Sequence, residues 1–112
     1  MTGGDAASAL ARLDEITRRL RVECPWDREQ DERSIVPHTV EEAYELAEAA
    51  AQGDHAKLED ELGDVLFQVY FLALLLEERG AGSLASVVSA RLTRRKVTRA
   101  GREAAGRRRS PG

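Results

Sequence analysis

Two pairs of acidic side chains hold the chemistry that this sequence can offer. Glu42 and Glu45 lie in VEEAYELAEA, and Glu61 and Asp64 lie in LEDELGD. Each pair is spaced i, i+3, so on a helix its carboxylates project from one face about a turn apart. Folding the second stretch back on the first brings four carboxylates together, and such a cluster raises its own pKa values unless a cation neutralises it. A hard divalent ion with oxygen ligands, Mg²⁺ or Mn²⁺, suits that site. Isolated glutamate pairs on helices are ordinarily solvated; two pairs beside apolar residues and joined by a short Gly-Asp turn are not so easily set aside.

The elements that must position these acids are all helical, and the expected fold is an all-α, four-helix bundle. A first helix runs from about Asp5 to Glu23, with Leu10, Leu13, Ile16 and Leu20 on one stripe and Arg12, Arg18, Arg19 and Arg21 mostly opposite. Residues 24 to 34, CPWDREQDERS, break the period and read as a loop or irregular turn. Ser34 is an acceptable N-cap for a second helix, with Pro37 in its first turn and Gly53 closing it. Asp54 can cap a third helix, carried by Leu58, Leu62, Val65, Leu66, Val69, Leu72, Ala73 and Leu76. Gly63 sits inside it at a cost of about 1 kcal/mol relative to alanine, which suggests close approach of the facing helix. Gly80 and Gly82 end that helix, and Ser83 can cap a fourth, with Leu84, Val87, Val88 and Leu92 on its apolar side, to about Lys96.

After Asp64 the third helix is apolar on nearly every side, and one small bundle has too little material to cover it. A homodimer with this helix at the interface is therefore expected. The apolar run VLFQVYFLALLL, residues 65 to 76, would span roughly 18 Å as a helix, short of the ~30 Å bilayer core. It reads as buried in protein, and no membrane partner is expected.

At 112 residues, 42% hydrophobic and 33% charged, the chain suits one folded domain, residues 1 to 96, followed by a tail, 97 to 112, expected to be disordered. Residues 1 to 90 carry 8 basic and 19 acidic side chains; residues 91 to 112 carry 9 basic and 1 acidic. The basic tail lacks interleaved aromatics and a recognisable motif, so nucleic-acid binding is not expected. The single Cys24 cannot form an internal disulfide, and no charged segment followed by an apolar run opens the chain. Both point to a cytoplasmic protein.

In ITRRLRVECPWDREQD, VEEAYELAEA, LEDELGDVLFQVYFLALLLEERG and ARLTRRK, taken in that order, the sequence resembles the MazG-type nucleotide pyrophosphohydrolases of the all-α NTP pyrophosphatase superfamily. The resemblance covers about Leu10 to Lys96. It implies hydrolysis of a nucleoside triphosphate to the monophosphate and pyrophosphate, with house-cleaning of non-standard or excess nucleotides as one use. It implies metal ligation by Glu42, Glu45, Glu61 and Asp64, the residues that spacing singles out, with Glu41 orienting the ligands or serving as a base for water. Lys57 matches a nucleotide-contacting position, and Arg91, Arg94 and Arg95 match a basic segment that could clamp the phosphates. Trp26 could stack on a base or anchor the core. Lys96 is followed by VTRAGREAAG where relatives read HPHVF, and Arg91 replaces a usual lysine.

Two other functions compete with this one. The same site could act on another nucleotide-like pyrophosphate, or the chain could be a degenerate helical dimer kept as a nucleotide-binding or regulatory module.

Overall fold

The computed structural model describes residues 4–93. The expected end of the fourth helix, Arg94, Arg95 and the tail from residue 97 lie outside the described residues. Four helices come first: α1 (Ala6–Glu23), α2 (Pro25–Arg28), α3 (Glu32–Gln52) and α4 (His55–Glu78). Residues 84–93 form a final helical segment. Among the described residues there is no strand, and the fold is all-α as expected.

Local chemistry explains the boundaries. Asp5 caps α1 by accepting from the Ala7 N–H, and Asp54 caps α4 by accepting from Lys57 N–H. Gly53 closes α3 at φ +67°, a left-handed conformation that glycine adopts at little cost. Ser83 and Ser86 exchange side-chain and backbone hydrogen bonds that start the last segment.

Three expectations fail here. α3 is capped by Asp31, three residues before Ser34; Asp31 Oδ1 accepts from Ser34 N–H while Ser34 Oγ accepts from Asp31 N–H. Ser34 is thus the N3 partner of a capping box, and Pro37 falls past the first turn, inside the helix. The expected loop 24 to 34 contains the short helix α2, started by Pro25 at its first position. Gly63 does not mark a close approach, since a Cβ there would meet nothing within 4 Å.

α3 and α4 run antiparallel, as three cross-links spaced along them show. Glu32 pairs with Arg79 at 2.7 Å, Glu42 lies beside Glu61, and Glu48 pairs with Lys57 at 3.2 Å. The core between them is Ile35, Phe71 and Leu75, with Phe67 and Leu72 packed against it. α1 docks on the C-terminal half of α4 through Arg18–Glu77 and Arg21–Glu78.

Arg21 does most to fix α2. Its Nη1 donates to the carbonyls of Asp27, Arg28 and Gln30, while Nε and Nη2 grip Glu78 and the guanidinium lies over the Phe71 ring. One cation so ties the chain after α2 to the end of α4.

Covering is incomplete on one side of the pair. Leu62, Leu66 and Val69, spaced i, i+4, i+7 on α4, are 51%, 39% and 37% exposed, and Val36 and Val40 of α3 are similarly open. No helix among the described residues is long and apolar enough to cross a membrane.

Candidate metal centre

The antiparallel hairpin brings three of the four singled-out acids together. One oxygen each from Glu42, Glu61 and Asp64 lie within 4.8 Å of one another. Two helical faces produce this: Glu61 and Asp64 share one side of α4, and Glu42 projects from α3 against them. Oε2 of Glu42 and Oε2 of Glu61 are buried without a hydrogen-bond partner. A buried carboxylate oxygen left unpaired is costly. A divalent cation would satisfy both oxygens, and three carboxylates within this spacing can reach one ion; the residues present fit Mg²⁺ or Mn²⁺.

The electrostatics show the same strain. Glu42 is pushed up to about 7, first by the proton it would share with Glu61, then by burial, then by the charges of Glu61, Asp64 and Glu45. Asp64 is also raised, by partial desolvation first and then by Asp60 and Glu61. A cation here would reverse both shifts, because it favours the charged forms.

Glu45 does not join the three. Its Oε2 lies 3.4 Å from Lys57 Nζ, which also pairs with Glu48 Oε1 at 3.2 Å. The two glutamates hold the Lys57 pKa above its ordinary value, Glu48 contributing first. Glu41 points to another neighbour, with Oε1 3.5 Å from His38 Nδ1. Trp26 is half exposed, with its ring edge-on to His38 at 6.4 Å between centroids. Arg91 is exposed on the final helical segment.

Gln68 escaped the sequence reading. It lies seven residues beyond Glu61, on the same side of α4, and its Oε1 is buried without a partner. The available signal was an amide at i+7 within the otherwise apolar VLFQVYF. Asp27, in the CPWD segment that the resemblance includes, is 6% exposed with an unpaired Oδ2 and is a second buried polar group.

The MazG nucleotide pyrophosphohydrolase domain matches residues 30–100, more than half of the sequence and the whole acidic hairpin. The chain belongs to this family. The MazG domain is 43% identical over 90 residues to the nucleoside triphosphate pyrophosphohydrolase of Escherichia coli K12, covering 75% of this chain and 34% of that protein. It is 40% identical over 86 residues to the nucleoside triphosphate pyrophosphohydrolase/pyrophosphatase MazG of Thermotoga maritima, with the same coverages. It spans about a third of the length of these curated relatives. The crystal structure of a MazG-related protein from Thermotoga maritima superposes with a TM-score of 0.67 at 28% identity, over 75% of this chain and 74% of that one.

Proposed function

We propose that this MazG domain hydrolyses a nucleoside triphosphate to the monophosphate and pyrophosphate, using Mg²⁺ or Mn²⁺ held by Glu42, Glu61 and Asp64 with Glu45 beside them. The observation that carries this reading is the pair of buried, unpartnered oxygens on Glu42 and Glu61 within the three-carboxylate cluster. The names of the relatives support the substrate class.

The residues divide the work. When bound, the ion supplies charge neutralisation for phosphate oxygens and an acidified water. Glu42, Glu61 and Asp64 would hold it; Glu41, exposed at the preceding position on α3, is available to orient water or take its proton. Lys57 and Arg91 offer cations to the phosphate chain, Arg94 and Arg95 extend that series in sequence, and Trp26 offers an exposed ring to the base. A second copy of the chain covers Leu62, Leu66 and Val69, making the working unit a homodimer.

The test is product analysis on a panel of standard and modified ribo- and deoxyribonucleoside triphosphates with Mg²⁺. Monophosphate and pyrophosphate in equal amounts are expected. Diphosphate with orthophosphate, or no turnover by folded protein, would contradict the proposal.

A further inference from the structure

Glu45 sits one helical turn from Glu42, yet its carboxylate pairs with Lys57 while three other acids make the cluster. Lys57 is itself held between two glutamates, at 3.4 Å from Glu45 and 3.2 Å from Glu48, and its side chain is 32% exposed. A divalent ion in the neighbouring cluster would therefore compete for Glu45 with the lysine on its flexible stem. A lysine ammonium is also an ordinary partner for phosphate.

We propose that Lys57 is a positioning residue for Glu45: it holds that carboxylate outside the cluster and releases it when a phosphate oxygen takes over the ammonium. The inference rests on the reading that the cluster binds a divalent ion. Glu45 then becomes available to the ion as the anionic substrate arrives, and the lysine that loses Glu45 gains a phosphate oxygen. Ion and phosphate each favour the other, and by linkage the gain is reciprocal. Glu48 keeps Lys57 close to the site during the exchange.

A double-mutant cycle on the full chain separates this exchange from simple removal of a positive charge. Mn²⁺ binding without nucleotide is measured for wild type, Lys57→Met, Glu45→Gln and the double variant, with circular dichroism confirming each fold. Lys57→Met is expected to tighten Mn²⁺ about fivefold, the size of coupling usual between contacting groups. In the Glu45→Gln background the same change should have less than about a twofold effect, because the carboxylate it would release is gone. Equal tightening in both backgrounds would overturn the proposal. Replacing chloride by inorganic phosphate at constant ionic strength should tighten Mn²⁺ for wild type and not for Lys57→Met; no effect on wild type overturns the release step. If wild type binds no Mn²⁺, or Glu61→Gln leaves binding unchanged, the metal reading itself fails, a result distinct from additivity in the cycle.

Discussion

At the residue scale, Glu42 makes the acidic hairpin pH-sensitive. Its pKa near 7 lies above the ordinary 4.5, so between those values the folded protein binds a proton that the unfolded chain has lost. Its contribution to stability is full below about pH 4.5 and is lost as pH rises toward 7. Without metal, the melting temperature should therefore fall as pH is raised from 5 to 8, and Glu42→Gln should flatten that fall. Mg²⁺ acts in the opposite sense: it must displace the proton below pH 7, so its stabilisation should be greater at pH 8 than at pH 6. Thermal melts at several pH values with and without Mg²⁺ check both signs. The acids themselves were legible, because i, i+3 spacing on two helices fixes which side chains share a face. The Glu45–Lys57 contact was not, since it depends on how the Gly53–Asp54 turn sets the register of α3 against α4.

At the element scale, capping and the α2 tether decide how the hairpin is held. Asp31→Ala removes the acceptor for Ser34 N–H and should cost about 1 kcal/mol. Ser34→Ala should cost less, because the Asp31 side chain keeps its bond. Denaturant melts compare them directly, and the reverse order would restore Ser34 as the principal cap. Arg21→Met strips three carbonyls and Glu78 of their partner, at about 2–4 kcal/mol. That loss should appear as a melting point lower by roughly 10–30 °C, at 4–8 °C per kcal/mol for a domain this small. The long helices were readable from their apolar period and from Asp5, Gly53 and Asp54. α2 and the start of α3 were not, because CPWDREQDERS has no apolar period, and Ser34 is an acceptable cap by residue type although the capping box begins at Asp31. Arg21 reads in sequence as one of several outward arginines; acceptance by backbone carbonyls leaves no trace in residue types.

At the scale of the whole molecule, the hairpin leaves apolar surface on its outer side. Leu62, Leu66 and Val69 form a stripe that water would cover unfavourably, and the last helical segment leaves Val87, Val88 and Leu92 open as well. A second copy on this stripe gives a defined expectation: wild type sediments as a dimer, and Leu66→Glu, which puts a charge into the stripe, sediments as a folded monomer. A monomeric wild type at micromolar concentration would remove the dimer from the account. The run apolar on all sides suggested in sequence that one chain could not cover it. Yet Tyr70, Phe71, Ala73, Leu74 and Leu75 are buried within the chain, and of the large apolar side chains on α4 only Leu62, Leu66 and Val69 stay open, an outcome set by where α1 and α3 dock. The proposed chemistry rests on the carboxylate cluster acting with a divalent ion on a triphosphate. Its most direct test is pyrophosphate release titrated with Mg²⁺ for wild type and for Glu61→Gln. Release that saturates with Mg²⁺ in wild type and falls at least about a hundredfold in a folded Glu61→Gln is the predicted result, in line with the several kcal/mol a metal ion contributes. Release that is independent of Mg²⁺, or undiminished in Glu61→Gln, would contradict it.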